Sequence, residues 1–493
     1  MEFNLDIAIF IAFVTLTLVV GILSSRGVTN ISQYALGGRN FSTMTLAATI
    51  IATWMSGSFF SYTISETYSK GLHFVIPILG NAIILIIMGF FLVPRMGEFL
   101  GKLSIPEAFG DIYGNHSRLL VSIAGILRCV GLIAAQFKVS SVLMEILFEI
   151  SNFHATVISS IVVIFYSAFG GIRAVTFTDL LQFIAFAVIL PITTFIIWQS
   201  FNDHNEVFTT LYNNPSFNYT KVIDYQNPNF FFSLSLLGYF ALPHMSPALF
   251  QRVSMAKNIN QAAKAFIIAG FICILIELSI SWIGALLFAS DSGLEPNKLF
   301  AFLVDSYSNI GFKGFVIVGV MAMIMSTSDS YINAASVIFV HDICNYFKII
   351  KLQNELLLSR VFSVIIGILS LILALKAKTI LGLLMVIGGL YNSIITIPFL
   401  LMIFGFRSSA ISFITASITA ISVSLIWQKY YYYTGIDSAI PGMLANFIGL
   451  FGTHYLLRQP GGWVGLKDGG RFAKIKKEKK YRWQKRIQNI KEF

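Results

Sequence analysis

Long apolar runs recur along the whole chain and restrict its fold more than any other feature of the sequence. A helix needs about 20 apolar residues to cross the hydrocarbon core of a bilayer, and thirteen runs of about that length are present. Because lipid offers unpaired backbone groups no partner, each run should form a helix. The limits of the runs are 5–25, 42–68, 73–96, 119–149, 154–169, 174–200, 229–251, 262–290, 312–341, 357–376, 379–405, 409–428 and 438–457. The sequence therefore predicts an all-α, polytopic membrane protein with 13 transmembrane helices.

The composition excludes an ordinary soluble domain, since 56% of the 493 residues are hydrophobic and only 12% are charged. The net charge of +11 could indicate a nucleic-acid partner, but the basic residues lie in short loops and near the end of the chain. That distribution is typical of membrane topology. We expect membrane lipid and a small solute as partners, and no nucleic acid. Cys129, Cys273 and Cys344 lack the spacing of a disulfide framework or a thiolate metal site.

Basic residues are concentrated in alternate loops. If the N-terminus lies outside, the inner loops and their edges hold many basic residues, including Arg39, Arg95 and Lys257, and the outer loops hold far fewer. Lys and Arg favour the cytoplasmic side. We expect a multi-pass protein of the cytoplasmic membrane with its N-terminus outside and its C-terminus inside.

Two runs contain residues that interrupt a continuous helix. The second is irregular over residues 52–58, and the seventh holds Pro243 and Pro247, which lack backbone donors. Irregular backbone at membrane depth is tolerated only where protein or a cavity satisfies it, so both breaks point to one internal site. Each break falls in the first run of a set of five runs. Because five is an odd number, the second set begins on the opposite side of the membrane from the first. This predicts two inverted repeats, 42–200 and 229–406, a layout typical of transporters.

The remaining segments flank these repeats. Residues 1–41 would form an extra span and an inner loop, and residues 407–457 would form two peripheral spans. Residues 458–493 would form a basic cytoplasmic tail, which suits the anionic inner leaflet.

Five polar side chains, Ser-Thr-Ser-Asp-Ser from Ser326 to Ser330, lie far inside the ninth apolar run. At about 100° per residue, Met323, Ser326 and Thr327 share one helical face, and Ser330 lies on it too. Their hydroxyl groups and a backbone oxygen could converge on a hard cation such as sodium. Alternatively, the hydroxyl groups could bond to carbonyls one turn earlier or to neighbouring helices.

Several motifs resemble those of the sodium/solute symporters, a family with the five-plus-five inverted-repeat fold first seen in the leucine transporter. The matching segments are 36–40 (LGGRN), 52–57, 170–175 with Thr178, Asp179 and Gln182, then Gln251-Arg252, and 325–330. Segments 52–54, 250–252 and 325–330, with Glu66 and Tyr68, most resemble the choline-transporter branch. The resemblance implies sodium-coupled import of a small organic solute. No catalytic motif is readable, so we expect neither enzymatic activity nor another cofactor.

The resemblance also implies a main sodium site between the broken second span and the ninth span. Its ligands would be the carbonyl groups of Ala52, Met55 and Met323 and the hydroxyl groups of Ser326 and Thr327.

A second sodium site or an exit path is implied at Asp179, Asp329 and Ser330. Asp179 could instead cap its helix or pair with Arg173. Asp329 points roughly 110° away from the hydroxyl face, which leaves the number of coupled ions open.

The substrate pocket should lie between the two breaks. We expect its lining to include Trp54, Ser56, Gly57, Tyr239, His244, Ser246 and Tyr391. A quaternary ammonium is normally held by an aromatic cage. Trp54 matches a choline-transporter tryptophan, but other such positions, including Leu132 and Ser246, are not aromatic here. An amino acid such as proline is therefore favoured, with choline or betaine as the alternative. A proton-coupled carrier that uses Asp179, Asp329 or His244 also stays open.

Four other charged side chains lie inside apolar runs: Glu66, Arg128, Lys138 and Glu277. Intramembrane charges usually pair with one another or mark a pathway. Either cation could pair with either carboxylate, and the sequence does not decide between them.

Overall fold

The computed structural model describes residues 4–349, 354–377, 380–431, 434 and 436–463, and these residues are mostly helical. The α-helices of the first half are α1 Leu5–Ser24, α2 Ile31–Leu36, α3 Thr43–Trp54, α4 Gly57–Lys70, α5 Leu72–Ile78, α6 Gly80–Ile87, α7 Ile105–Tyr113, α8 Asn115–Phe148, α9 Asn152–Gln199, α10 His204–Asn213 and α11 Tyr219–Val222. Those of the second half are α12 Pro228–Phe240, α13 Pro247–Ser254, α14 Ile259–Ser290, α15 Leu299–Tyr307, α16 Phe312–Val337, α17 Glu355–Lys376, α18 Ile380–Ile403, α19 Ala410–Tyr430 and α20 Ala439–Leu456.

Shorter elements complete the described part of the chain. There are 3₁₀ turns at Gly37–Arg39, Val93–Glu98 and Pro296–Lys298, and π-helical segments at Met88–Leu92 and Ile338–Cys344. The strands β1 Phe406–Arg407 and β2 Gly462–Trp463 pair antiparallel.

The helices confirm an all-α, polytopic membrane protein. Each of the thirteen predicted runs coincides with a helical segment. By length and composition, nine helices among the described residues could cross a membrane, and α3 with α4 would add one bent span. The number thirteen therefore stays a prediction.

Both predicted interruptions occur as breaks between helices. Helices α3 and α4 meet at Met55 and Ser56 with a bend of 58°. Met55 is extended (φ −81°, ψ 92°), and the Ser56 side chain accepts a hydrogen bond from the backbone N–H of Phe59. Helices α12 and α13 are separated by residues 241–246. Each break opens a succession of helices that matches one of the two sets of five.

The long helix α9 is divided at Gly171, between the predicted spans 154–169 and 174–200. Gly171 has φ 60° and ψ 177°, a conformation that L side chains rarely adopt. A Cβ atom there would lie 2.8 Å from the ring of Tyr34. The junction therefore needs glycine both for its backbone angle and for its close packing.

Helix α16, which carries the five polar side chains, is enclosed by its neighbours. In its span, 94% of the most apolar window is buried, compared with 17% in α1. Lipid therefore does not reach the polar run. Helices α1 and α2 lie in the predicted segment 1–41, and helices α19 and α20 lie in the predicted segment 407–457. Of the predicted basic tail, the part from residue 464 onward lies outside the described residues.

Candidate ion and solute site

The structure brings the five implied sodium ligands to the break between α3 and α4. The Ser326 Oγ donates to the carbonyl of Ala52 at 2.8 Å and lies 3.1 Å from the carbonyl of Met323. Ala52, Met55, Met323 and Ser326 are fully buried, and Thr327 is 1% exposed. Ser326 therefore makes both kinds of hydrogen bond that the alternative to an ion site predicts, one within α16 and one to the neighbouring helix α3.

Thr327 carries a hydroxyl group that no hydrogen bond among the described residues satisfies. Its Oγ1 is buried and has no hydrogen-bond partner among the described residues, although buried hydroxyl groups normally have one. An unpartnered hydroxyl beside carbonyl oxygens is the kind of ligand that a hard cation takes. The five residues therefore fit a sodium ion chemically.

Asp179 and Ser330 meet around a buried arginine. Arg252 donates from Nη2 to Asp179 Oδ2 at 3.1 Å, to Thr53 Oγ1 at 2.9 Å, and to Ser330 Oγ. The side chains of Arg252 and Asp179 are both fully buried. The alternative in which Asp179 pairs with Arg173 does not occur, since Arg173 is exposed and Asp179 pairs with Arg252 on α13.

Asp329 faces a different neighbour from the hydroxyl groups beside it. It is fully buried, and its Oδ2 accepts a bond from Thr178 Oγ1 on α9 at 3.4 Å. This agrees with the predicted angle of roughly 110° between Asp329 and the hydroxyl face.

A cavity of about 480 Å³ reaches from the helix ends near Lys70 and Asp437 to the break between α3 and α4. Four of the seven predicted pocket residues line it: Trp54, Ser56, Tyr239 and His244. Thr327 lines it too, so the cavity adjoins the residues of the ion site.

The other three predicted pocket residues have structural roles next to the cavity. A Cβ atom on Gly57 would lie 2.2 Å from Ile324, so this glycine permits close packing of α4 on α16. The Ser246 Oγ accepts a bond from the backbone N–H of Leu249 at the start of α13. The Tyr391 hydroxyl donates to the carbonyl of Met245 at 2.8 Å and holds the second break in place.

Trp54 is fixed on one face and at its indole nitrogen. The ring of His244 stacks on it with a centroid distance of 5.1 Å and an interplanar angle of 19°. Its Nε1 donates to the carbonyl of Asn81 at 3.1 Å, and the Asn81 side chain donates to Glu277 at 2.9 Å. Trp54 is therefore a positioned wall with one face already covered.

Arg128 lines the cavity and forms no ion pair among the described residues. Its Nε is buried without a hydrogen-bond partner there. Its guanidinium lies against Gly388, where a Cβ atom would be 2.5 Å from Nη1.

The other intramembrane charges have partners. Glu66 pairs with Lys70 at 2.6 Å, Glu277 accepts from Asn81, and Lys138 donates to the carbonyl of Ala377 at 2.8 Å. None of the pairings that the sequence left open between Arg128 or Lys138 and Glu66 or Glu277 occurs among the described ion pairs.

Sequence reasoning missed several residues of the lining, including Tyr62, Tyr331, Asn392 and Asp437. Asn392 could have been noticed as an amide inside an apolar run, whereas no pattern marks Asp437, which lies in the loop before α20. Burial raises the pKa of Asp437 above its ordinary value, and the hydrogen bond from the Ala439 N–H opposes this.

Two further ion pairs involve residues that do not line the cavity. Arg118 pairs with the fully buried Asp342 at 2.6 Å, and Lys102 pairs with Glu107 at 3.1 Å. Burial alone would raise the pKa of Glu107, but the His341 ring 3.3 Å away, the hydrogen bond from the Leu103 N–H and the charge of Lys102 lower it to about 2. The lining of the cavity includes Lys70 and Asp437 but not Glu107.

A family model described as "Sodium:solute symporter family" matches residues 34–419. The chain is 25% identical over 462 residues to the high-affinity proline transporter PutP of Bacillus subtilis, covering 90% of this chain and 96% of that protein. It is 25% identical over 442 residues to high-affinity choline transporter 1 of Drosophila melanogaster, covering 84% and 69%.

Among solved structures, a substrate-bound, outward-open Na⁺-coupled sialic acid symporter is similar, with a TM-score of 0.79 and 20% identity. The match covers 92% of this chain and 98% of the symporter. At that identity the likeness shows the fold.

Proposed function

Since the chain belongs to the sodium:solute symporter family, we propose that it imports L-proline or a related small amino acid together with sodium. Sodium as the coupling ion follows from the family. The solute is our proposal, and it rests chiefly on Arg128, the cation in the cavity that pairs with no described carboxylate.

Arg128 favours a solute that carries a carboxylate. A guanidinium presents a planar fork of donors that matches a carboxylate with two parallel hydrogen bonds. In a cavity partly screened from water, this attraction is stronger than in solution. The same charge would repel a cation such as choline. The alternative of choline is therefore less favoured, whereas betaine, which has a carboxylate, stays a candidate.

The walls and size of the cavity suit a small zwitterion. About 480 Å³ falls within the range of about 300–1,000 Å³ that is typical of small-molecule sites. Trp54 and Tyr239 offer apolar surface beside Arg128. Because His244 covers one face of Trp54, that ring cannot contribute both faces to a cage around a quaternary ammonium. Apolar walls around one anchored carboxylate would suit a compact amino acid.

For sodium, we propose the carbonyl oxygens of Ala52, Met55 and Met323 and the hydroxyl groups of Ser326 and Thr327. All five residues are buried at the break. Neutral oxygens hold sodium without the strong attraction of a carboxylate, so the ion can be released to the cytoplasm. Thr327 is a proposed sodium ligand and also lines the cavity. The binding of sodium and the binding of the solute would therefore be linked through this residue.

Sodium between α3 and α16 would stabilise the form whose cavity is open, and the solute would then fill the space between the two breaks. Rocking of the repeats would loosen the same ligands and release both. Each inward charge gains about 2.3 kcal/mol per 100 mV of membrane potential. For the repeats we retain the bounds 42–200 and 229–406. We also propose that the N-terminus lies outside and the C-terminus inside.

Uptake by proteoliposomes tests the proposal. We expect uptake of labelled L-proline that requires inward sodium, fails when potassium replaces sodium, and is inhibited by unlabelled L-proline but not by choline. Saturable uptake of labelled choline that L-proline does not inhibit would overturn the choice of solute. Uptake driven by a pH gradient without sodium would support a proton-coupled carrier and overturn the assigned ion site.

A further inference from the structure

A second cavity, which we call the apolar pocket, lies between α5, α10 and α14. Its volume is about 570 Å³, and its lining shares no residue with the lining of the solute cavity around Arg128. The lining includes Leu72 and Val75 on α5, Phe208 and Tyr212 on α10, and Ser281 and Trp282 on α14. The proposed transport of solute and sodium leaves this cavity without a role.

The apolar pocket continues a lipid-facing stripe of α14. Phe271, Leu275 and Leu278 are exposed, and their spacing of four and three residues puts them on one face of the helix. Helix α14 is long and apolar enough to cross a membrane, so this exposed apolar face contacts hydrocarbon. Leu278 also lines the apolar pocket. The pocket therefore borders the lipid, and a component of the bilayer can enter it.

Ser281 places an unsatisfied polar atom in this apolar lining. The residue is 3% exposed, and its Oγ has no hydrogen-bond partner among the described residues, although buried hydroxyl groups normally have one. It does not bond to a carbonyl one turn earlier, which is a common partner of a serine hydroxyl within a helix. Because Ser281 lines the pocket, an acceptor carried by the occupant could receive its hydrogen bond.

The depth of Ser281 indicates which acceptor a lipid would bring. Helix α14 has 32 residues, and Ser281 lies about seven residues beyond its middle, or about 10 Å along the helix axis. Half of the hydrocarbon core is about 15 Å thick. With α14 centred in the bilayer, the esters that join acyl chains to glycerol lie within reach of Ser281. Trp282 and Tyr212, which also line the pocket, are of types that are enriched at the membrane interface.

We propose that the apolar pocket binds one acyl chain of a membrane phospholipid, whose ester carbonyl accepts a hydrogen bond from the Ser281 hydroxyl. The chain would cover the apolar side chains of the lining, and the ester supplies the acceptor that Ser281 lacks. A free fatty acid fits less well, because no Lys, Arg or His lines the described pocket to neutralise its carboxylate. The inference does not depend on which solute the protein carries.

Helix α5 separates the apolar pocket from the solute cavity. Leu72 and Val75 line the pocket, whereas the Phe74 ring packs edge-on against Tyr62 of the solute cavity, with a centroid distance of 5.2 Å. An acyl chain in the pocket would therefore support α5 next to the solute cavity. Because a ligand that binds only the folded protein stabilises it, added phospholipid should raise the melting temperature.

Fluorescence quenching in the purified full-length protein tests the proposal. The probe is a phosphatidylcholine with one dibrominated acyl chain, added in detergent, and the signal of Trp282 is the difference between the protein and its Trp282→Phe variant. We expect quenching of Trp282 that saturates. Ser281→Ala should raise the half-saturating lipid concentration about fivefold, because one hydrogen bond is lost.

Two further variants separate the pocket from general contact with lipid. Ala285 lines the pocket, so Ala285→Phe should fill it and remove the saturable quenching and the rise in melting temperature. Leu275→Phe is the matched control, since Leu275 is exposed on the same helix but does not line the pocket. It should behave like the wild type.

Quenching that does not saturate in the wild type would overturn the inference, as would equal saturable quenching in Ala285→Phe. If Ala285→Phe does not fold, Ser281→Ala decides the question, and an unchanged half-saturating concentration would contradict the proposed hydrogen bond. Half-saturation by a brominated free fatty acid at a lower concentration than the phospholipid would overturn the choice of occupant.

Discussion

Arg252 and Arg128 both lie near the candidate ion site, but their surroundings differ. Arg252 is 1% exposed and donates to Asp179, Thr53 and Ser330. Arg128 faces the cavity and forms no ion pair in the described part of the chain. A buried charge is normally tolerated only with a partner. Arg252 has its partner within the protein, whereas we propose that Arg128 receives its partner from the solute.

We propose that this difference separates ion binding from solute selection. Around Arg252, the charges are matched within the chain. On the cavity side, a cation and aromatic walls are available to a ligand. The predictions below test whether the two sides have these separate roles.

The largest effect should come from Arg128→Gln. Removing one partner of a charge pair with a carboxylate costs about 2–5 kcal/mol, so the KM for L-proline should rise about 100-fold. Sodium affinity should stay close to that of the wild type, since Arg128 lies outside the proposed ion ligands. Uptake at varied solute and sodium concentrations measures both.

Arg128→Lys is the matched control for Arg128→Gln. It keeps the charge but not the planar fork of donors, so its KM for L-proline should lie between those of the wild type and Arg128→Gln. If Arg128→Gln transports L-proline with the wild-type KM, the two arginines do not differ in the way we describe.

Thr327→Ala should weaken sodium binding about tenfold, because one of five proposed oxygen ligands is lost; this corresponds to about 1.4 kcal/mol. Thr327→Ser keeps the hydroxyl and should behave like the wild type. Binding of radiolabelled sodium to each variant measures the change. Equal sodium affinity in Thr327→Ala and Thr327→Ser would remove this hydroxyl from the ion site.

Glu107→Gln tests whether an ion pair away from the cavity contributes stability rather than ion binding. The pKa of Glu107 is lowered from 4.5 to about 2, so its ionised form stabilises the fold above pH 4.5, and this is lost as the pH falls towards 2. At pH 7 the variant should be about 1 kcal/mol less stable. Its melting temperature should fall while its sodium affinity stays unchanged.

A thermal unfolding series from pH 7 to pH 3 supplies the control for Glu107→Gln. The gap in melting temperature between wild type and variant should narrow as the pH falls below 4.5. A gap that does not depend on pH would show that the carboxylate charge is not the cause.

The smallest effect should come from Asp437→Asn. The carboxylate of Asp437 lines the same cavity as Arg128 and opposes an anionic group of the solute. Its removal should lower the KM for L-proline about twofold by weakening this repulsion. Because the pKa of Asp437 is raised, mild acidification should lower the wild-type KM in the same direction and leave Asp437→Asn unchanged.

Much of the site could be predicted from the sequence because its signals are local. The polar residues from Ser326 to Ser330 lie within one apolar run, and the prolines at the second break lie within another. Helical periodicity placed Ser326 and Thr327 on one face, and the structure has them at the first break. The partner of Asp179 could not be predicted, because Arg252 is 73 residues away on another helix.

By itself, the sequence determined that this protein crosses a membrane, where two of its helices are interrupted, and which helix carries a polar face. These properties follow from hydropathy and backbone chemistry within a few turns of one segment. Only the tertiary structure decided that Arg252 is neutralised while Arg128 faces a cavity, and that Asp437 joins that cavity's lining. Which charges meet depends on how distant helices pack, and local periodicity carries no information about that packing.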